Sequence, residues 1–206
     1  MPQTIALVNP KGGSGKTTMA IHLAAVAHRD GRHTTLLDTD PQGSALDWSR
    51  RTPDGYDGPR VEKLGHGRTL AAAVGQTDAE VVVIDAPARF DDHTGRVLSN
   101  ADLALVPVRP SGLDLWGAAE FLGVLEDHVG RGLEAAFAAS QKDVRSTLSD
   151  ELDAALSQLD LPLLSGLSLR VSYARSVGNG ETVLDGYDSD AAAEVRDLYT
   201  EAKKLA

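Results

Sequence analysis

Residues 8–18 read Val-Asn-Pro-Lys-Gly-Gly-Ser-Gly-Lys-Thr-Thr, and this stretch decides the fold. Its end, Gly15-Lys16-Thr17, matches the end of a phosphate-binding loop, in which a glycine is followed after four residues by Gly-Lys-Ser/Thr. The first glycine of that pattern would fall on Pro10, and Lys11-Gly12-Gly13 follows in its place. The loop therefore carries two lysines. Lys16 suits the β- and γ-phosphates of a bound nucleotide, whereas one nucleotide does not account for Lys11.

The sequence on both sides of the loop supports a nucleotide site. Residues 4–8 are a short apolar run typical of a buried parallel strand, and residues 17–29 have the spacing of a helix. In that context the glycines let backbone N–H groups face the phosphates, and the helix N-terminus adds partial positive charge. The alternative is a glycine-rich turn with unrelated lysines. The predicted nucleotide-binding residues are Lys11, Gly12, Gly13, Ser14, Gly15, Lys16, Thr17 and Thr18, with the Thr17 hydroxyl on Mg²⁺.

Composition limits the class of protein. The 206 residues suit one domain, 1–206. We find no apolar run long enough to span a membrane and no signal peptide. The chain has no cysteine, which excludes disulfides, iron–sulfur ligation and thiolate zinc sites. Its six histidines show no metal-ligand spacing, so we expect them at the surface or packed behind a site. The net charge of −10 means that any DNA binding must come from a local patch or an assembled surface.

Strand and helix patterns alternate along the chain. This predicts an α/β fold, a single-domain P-loop NTPase with a mostly parallel twisted sheet and helices on both faces. We predict strands over 4–8, 33–38, 61–64, 80–84, 102–108 and 133–139, and helices over 17–29, 44–50, 69–74, 91–99, 113–129, 141–159 and 189–205, with 161–169 ambiguous.

Three aspartates follow predicted strands, where ligands of parallel sheets bind. Asp85 ends the run Val81–Ile84 and has the form of a Walker B aspartate that supports Mg²⁺. Asp38 and Asp40 flank a threonine after another strand, and one of them would orient water while the other supports the metal. The alternatives are a helix cap for Asp85 and turn chemistry before Pro41 for the pair.

Lys11 suggests a second subunit. Phosphoryl transfer depends on positioning and charge stabilisation, and a cation supplied in trans stabilises the transition state, as an arginine finger does. If Lys11 has that role, hydrolysis is coupled to dimerisation.

These motifs, taken together and in order, resemble those of the ParA/MinD ATPases over nearly the whole chain. Residues 11–18 resemble the deviant Walker A motif of that family, 38–44 its Walker A′ segment, and 82–87 its Walker B and switch II. Residues 105–111 resemble a later strand end of the family. The short length, together with 170–176 and 180–183, is most similar to the small ParF-type ParA proteins.

The resemblance implies an ATPase that hydrolyses ATP to ADP and phosphate with Mg²⁺. Two subunits would close face to face on ATP, with Lys11 reaching across the interface, Lys16 holding phosphates in its own subunit and Asp40 positioning the water. Asp38 and Asp85 would support the metal with Thr17. The homodimer would bind nonspecific DNA on the nucleoid in the cytoplasm. A ParB-type partner would stimulate hydrolysis during plasmid or chromosome segregation.

Several features separate this chain from other branches of the family. Only ten residues precede Lys11, so we expect no N-terminal helix-turn-helix domain. The tail 191–206 carries acids among its basic residues, which argues against a membrane anchor. The nitrogenase-reductase branch requires cysteines. The strand 135–142 lacks the asparagine or arginine turn of many relatives, which puts base recognition there in doubt.

The DNA contacts and the cargo are the least determined predictions. Arg170 and Arg175 are the candidate DNA contacts, since arginine suits phosphate. Alternatively, Arg170 lies near the adenine, or both form structural ion pairs. The leading function is DNA partition. The alternatives are positioning of a protein cargo such as a chemoreceptor cluster or carboxysome, a non-partition nucleotide switch or metal-cluster carrier, and a small-molecule kinase.

Overall fold

A single parallel sheet positions the site. The computed structural model describes residues 1–64, 69–89, 91–143 and 145–206, and within them the chain forms seven strands in the order β3-β2-β4-β1-β5-β6-β7, all parallel. The strands are β1 Gln3–Leu7, β2 Thr34–Asp38, β3 Arg60–Lys63, β4 Val81–Asp85, β5 Leu103–Val108, β6 Glu134–Lys142 and β7 Leu163–Ser168.

Helices cover both faces of the sheet, as predicted. They are α1 Lys16–Arg29, α2 Ser44–Ser49, α3 Leu70–Gly75, α4 Asp92–Leu98, α5 Gly112–Val129, α6 Thr147–Leu156, α7 Val171–Gly178 and α8 Ser189–Leu205, with one 3₁₀ turn at Val183–Asp185. Successive side chains of a strand point to opposite faces. In β1, Ile5 and Leu7 therefore join the core under α1, α2, α7 and α8, while Ala6 joins the core under α3 to α6.

The elements from 141 to 159 differ from the prediction. The predicted helix over 141–159 is wrong at its start, because β6 continues to Lys142 to pair with β7 and α6 begins at Thr147 behind the capping side chain of Ser146. Leu148, Leu152 and Leu156 do lie on that helix, whereas Val144 lies outside the described residues, as does part of the predicted loop before α3. The ambiguous segment 161–169 contains strand β7.

The short helix α2 is seated on the turn that follows α7. The indole Nε1 of Trp48 donates a hydrogen bond to the carbonyl of Glu181 over 3.0 Å. Gly180 has a φ of +76°, and a Cβ there would lie 2.2 Å from the backbone of Arg51. Only glycine fits at position 180 because the two backbones approach so closely. The segment that follows α2 and the segment that follows α7 are therefore in direct contact.

Candidate nucleotide-binding site

The predicted site residues converge at the carboxyl edge of the sheet. The register pairs Leu7 with Asp85 across β1 and β4, and Asp38 with Asp85 across β2 and β4. The glycine loop leaves β1 beside Asp85 on the neighbouring strand β4, and Asp38 lies one strand further along the sheet. Because parallel strands end at the same edge, residues more than forty positions apart in the sequence meet here, as the spacing of the motifs predicts.

The loop ends at a helix N-terminus that offers backbone donors. Gly13 and Gly15 have φ values of 74° and 93°, in the left-handed region that favours glycine. Gly15 is the N-cap of α1 and makes no side-chain cap. The first N–H groups of a helix lack partners within it, so this end is suited to an anion. A Cβ on Gly15 would also lie 2.4 Å from the Ser140 hydroxyl, so the loop packs closely on β6.

Lys16 is held inside the loop. Its side chain is buried, and Nζ donates a hydrogen bond to the carbonyl of Lys11 over 3.2 Å. Burial lowers the pKa of Lys16, while the negative charges of Asp85 and Asp40 oppose that shift. The ammonium is therefore held by the loop, within electrostatic range of two carboxylates, and its positive charge suits a phosphate oxygen bound at the loop.

Asp85 is a buried carboxylate without a hydrogen-bond partner among the described residues. It is fully buried, and both of its oxygens are unpaired. Burial raises the pKa of Asp85 to about 7; the nearby Thr17 hydroxyl, although outside hydrogen-bonding geometry, and the Lys16 charge act in the other direction. A buried carboxylate left unpaired is costly, and a cation beside it offsets that cost.

This observation fits Mg²⁺ held jointly by the protein and a nucleotide. In the described part of the chain, no group of three or more His, Cys, Asp or Glu side chains is arranged to hold a metal alone. Mg²⁺ commonly keeps few protein ligands and binds substrate phosphates. The Thr17 hydroxyl and the Asp85 carboxylate are the residues that suit such an ion.

Asp38 and Asp40 shape the loop after β2. Asp38 is fully buried, and its carboxylate accepts hydrogen bonds from the backbone N–H of Asp40 over 3.1 Å and of Leu46 over 3.0 Å. Burial raises the pKa of Asp38. Asp40 is half-buried and accepts from the N–H of Gln42 over 2.9 Å. Asp38 therefore ties the loop to α2, whereas Asp40 lies closer to solvent and within electrostatic range of Lys16.

Lys11 makes an ion pair that the sequence analysis did not anticipate. Its Nζ lies 2.8 Å from Oδ2 of Asp114, a buried residue at the start of α5. Asp114 also accepts hydrogen bonds from Arg109 and Ser111. Burial by itself would raise the pKa of Asp114. The hydrogen bonds from Lys11, Ser111 and Arg109 have the larger combined effect, so the pKa of Asp114 lies below its ordinary value.

A sequence signal for Asp114 was present. Ser111 caps α5 by accepting from the N–H of Asp114, and an acid three residues after a capping serine marks a helix start. That pattern predicts the helix start. It does not predict that the acid turns toward Lys11, because the contact depends on β5 and β1 being neighbours.

A cleft beside the loop has the position expected for a nucleoside. Its volume is about 290 Å³, and its lining includes Gly15, Thr18, Ser140, Gln141 and Tyr173. Gln141 has a φ of 55° and donates from Nε2 to the carbonyl of Gly13 over 3.0 Å. Ser140 and Gln141 therefore occupy the strand end where the sequence lacks the usual asparagine or arginine.

His22 connects the loop helix to the C-terminal half of the chain. It is fully buried, its Nδ1 lies 2.7 Å from the Thr18 carbonyl, and its Nε2 accepts from the N–H of Val183 over 3.2 Å. This fixes a neutral ring protonated at Nδ1. The histidines were expected either at the surface or packed behind a site, and His22 is packed behind a site. His66 lies outside the described residues.

His22 makes stability depend on pH. Burial lowers its pKa to about 4, against the opposing effects of the Thr18 carbonyl and Asp185, whereas an unfolded histidine titrates near 6.5. The unfolded chain therefore binds the extra proton first, so the free energy of unfolding falls as the pH drops from about 6.5 toward 4, by about 3 kcal/mol in total. Urea unfolding of wild type and His22→Gln at pH 7.5 and 4.5 measures this. The variant should lose less stability between the two pH values, and equal losses would contradict the assignment.

The two candidate DNA contacts have different surroundings. Arg170 precedes α7 and makes ion pairs with Asp188, Asp190 and Glu194, the last over 2.9 Å. Arg175 is exposed, and no ion pair to its guanidinium is found among the described residues. It lines a groove of about 500 Å³ that shares no residue with the phosphate loop. The ion pairs of Arg170 match the ion-pair alternative, and Arg170 also lines the cleft beside the loop, as the adenine alternative expects. Arg175 is the more available cation.

The glycine loop at the end of a central parallel strand, with acids on the two strands beyond it, defines a P-loop nucleotide-binding protein. The CobQ/CobB/MinD/ParA nucleotide binding domain matches residues 5–183, so the chain belongs to this family, which includes the ParA and MinD ATPases. The family and the fold class predicted from the motifs are thereby confirmed.

Among related sequences, maintenance of carboxysome distribution protein A of Halothiobacillus neapolitanus is 30% identical over 210 residues, covering 96% of this chain and 95% of that protein. The chromosome-partitioning ATPase Soj of Thermus thermophilus is 33% identical over 152 residues, covering 60% of this chain and 61% of Soj. The chain is thus a member of a family of partition and positioning ATPases.

Solved structures show the same fold. The septum site-determining protein MinD of Pyrococcus horikoshii, complexed with Mg-ADP, has a TM-score of 0.79 at 20% identity, covering 100% of this chain and 97% of that one. A plasmid partition protein of Borrelia burgdorferi bound to AMPPNP has a TM-score of 0.78 at 17% identity, with both chains fully covered. Among the described residues, no helix is long and apolar enough to cross a membrane.

Proposed function

We propose that this protein is a ParA-type ATPase that forms a dimer on ATP, binds DNA without sequence preference and is stimulated by a ParB-type partner. The observation that carries the proposal is the pair of lysines in one loop. Lys16 is enclosed by the loop, whereas the Lys11 side chain is directed away from it, onto Asp114. This difference supports a role for Lys16 at the nucleotide of its own subunit and for Lys11, once released from Asp114, at the nucleotide of a second subunit.

The residues divide the reaction among them. Lys16 and the N–H groups of the loop would bind phosphates, and Thr17, Asp85 and Asp38 are the residues that would hold Mg²⁺. When bound, Mg²⁺ neutralises charge on the phosphates. Asp40 positions the attacking water. Lys11 of each subunit stabilises the charge that develops on the γ-phosphoryl group of the other, as a trans-acting cation does in related reactions.

Nonspecific DNA binding has to overcome the acidity of the chain. Phosphate contacts from a few basic side chains supply such binding, and assembly of a dimer doubles their number. Arg175 is the best-placed candidate, since it is exposed on a groove wall and is not held by an acid. Arg170 remains a second candidate whose charge is largely compensated by its three acidic partners.

We expect Arg175→Glu to weaken DNA binding by tenfold or more while basal ATP turnover stays near that of wild type. The substitution replaces an attraction to phosphate with a repulsion, and such contacts are strongly salt-dependent. Fluorescence anisotropy with a labelled random duplex at 50 mM salt and saturating ATP measures it. The matched control is Arg131→Glu, the same charge change on an exposed arginine that precedes the amino end of β6, whereas Arg175 follows the carboxyl end of β7. Equal affinity of Arg175→Glu and wild type would remove Arg175 from the DNA surface.

The cargo separates two versions of this function. DNA partition is favoured by the resemblance to ParF-type proteins and by the match to Soj. Positioning of a protein assembly is the second candidate, favoured by the carboxysome distribution protein, which matches almost end to end. Both versions use the same nucleotide cycle, so the site itself does not distinguish them.

One experiment tests the cycle and the choice of cargo together. ATP turnover is measured alone, with nonspecific DNA, and with DNA plus the product of the neighbouring gene. We expect slow turnover alone and clear stimulation with both additions. A neighbouring protein that binds a DNA sequence repeat supports partition, whereas one that binds an enzyme assembly supports protein positioning. Absence of ATP hydrolysis under all conditions would overturn the proposed function.

A further inference from the structure

The start of α5 exposes two large apolar side chains on one helical face. Leu113 is 67% exposed and Trp116 is 70% exposed, and their spacing of three places them side by side. We call this pair the α5 patch. Leu148, 53% exposed, borders a small notch next to it, formed with Pro110 and Leu115. Exposed tryptophan is uncommon on a solvated surface, and grouped apolar side chains mark contact surfaces.

The α5 patch adjoins the anchor of Lys11. Asp114, which holds the Lys11 ammonium at 2.8 Å, is the residue directly after Leu113 and two before Trp116. The Asp114 carboxylate points into the protein, whereas the side chains of Leu113 and Trp116 point outward. A molecule that comes close enough to contact the Lys11 side chain therefore also comes close to the α5 patch.

The charge around the patch argues against nucleic acid as the occupant. Helix α5 contains no lysine or arginine, nor does α6 beside it, and both helices carry several acids. On these two helices a DNA backbone would meet acidic and apolar side chains, and the nearby cations Lys11 and Arg109 are already paired with Asp114. A protein surface is the better match, and the nearness of Lys11 favours a second copy of this chain over an unrelated protein.

We propose that Leu113 and Trp116 form part of the contact between the two subunits of the ATP-bound dimer. The inference rests on the proposed function, since it assigns residues to the dimer that Lys11 implies. In a two-fold dimer the same patch is contributed by both subunits, so one tryptophan per chain gives two at the interface. Aromatic side chains at such positions carry a large share of the binding energy.

Tryptophan fluorescence tests the proposal in the unmodified protein. The chain has two tryptophans: Trp48 is 1% exposed, so acrylamide reaches mainly Trp116. ATP should shift the emission to shorter wavelength and reduce acrylamide quenching, with a dependence on protein concentration that follows dimerisation measured by sedimentation. ADP should not. Trp116→Phe, which leaves Trp48 as the only tryptophan, supplies the background signal and should lack the change.

A substitution tests the energy of the contact. Trp116→Ala should weaken ATP-dependent dimerisation by roughly tenfold to thirtyfold, as for an aromatic residue at the centre of an interface, while binding of a fluorescent ATP analogue by the monomer is unchanged. The control is Tyr187→Ala, a still more exposed aromatic residue far from the loop in sequence, which should dimerise as wild type does.

Two results separate failure of this inference from failure of the proposed function. If wild type dimerises on ATP but Trp116 stays open to acrylamide and Trp116→Ala dimerises normally, the α5 patch is not in the dimer and the inference is overturned. If wild type does not dimerise on ATP at all, the proposed function itself fails, and the inference fails with it.

Discussion

Lys11→Ala should retain ATP binding and lose both ATP-dependent dimerisation and hydrolysis, with turnover reduced by roughly a thousandfold, the scale of a missing trans-acting cation. Lys16 and the loop N–H groups remain to bind phosphates in the variant, because Lys11 gives only its backbone carbonyl to that part of the site. Its ammonium lies on Asp114. Sedimentation velocity with ATP and a phosphate-release assay measure the two losses, and titration of a fluorescent ATP analogue measures the retained binding.

Lys142→Ala is the matched control for Lys11→Ala. Lys142 is also a partly buried lysine paired with an aspartate, Asp153, but it lies on β6 outside the phosphate loop. It should dimerise and hydrolyse ATP as wild type does. A Lys11→Ala protein that sediments as a normal ATP dimer with normal turnover would contradict the trans role of Lys11.

The second large effect is expected for Asp40→Ala, which should lower turnover by about 10²- to 10⁴-fold, the scale for loss of a general base, while the ATP dimer still forms and persists. Asp40 is half-buried and its carboxylate accepts a hydrogen bond from the N–H of Gln42, so we expect its removal to leave the fold and the phosphate contacts in place. Turnover is measured by phosphate release, and the persistence of the dimer by sedimentation after removal of free ATP.

Asp47→Ala provides the comparison for Asp40→Ala. Asp47 is an exposed acid on neighbouring α2 whose carboxylate, among the residues that the structure describes, forms an ion pair only with Arg50. Its variant should hydrolyse ATP normally. If Asp40→Ala turns over ATP at the wild-type rate, another group orients the water; if it fails to dimerise, Asp40 acts in assembly.

The sheet and the phosphate site were predictable because each depends on short stretches of sequence. A buried strand, a glycine loop and a helix follow one another at residues 4–29, and strand-ending aspartates recur at 38 and 85. Parallel pairing brings such strand ends together without further information. The position of each aspartate at the end of its own strand therefore predicts most of the relative positions of the site residues.

Contacts between distant segments were not predictable in the same way. The Lys11–Asp114 pair joins residues 103 positions apart, and the three partners of Arg170 come from α8 and the turn before it. The start of α6 was misplaced because β7, whose sequence was ambiguous, extends β6 to Lys142. In each case a neighbouring element determines the conformation, and the local sequence pattern carries no information about that element.

The seating of α2 on the turn after α7 has a consequence for how the nucleotide state is sensed. Asp38 holds the N-terminus of α2 through Leu46, and Trp48 at the other end of that helix holds the carbonyl of Glu181. Gly180 lets the two backbones approach so closely that a side chain at that position would clash with Arg51. The Asp38 loop is therefore linked through α2 to the segment that follows Arg175, so we expect a displacement of that loop on ATP binding to change the groove that Arg175 lines.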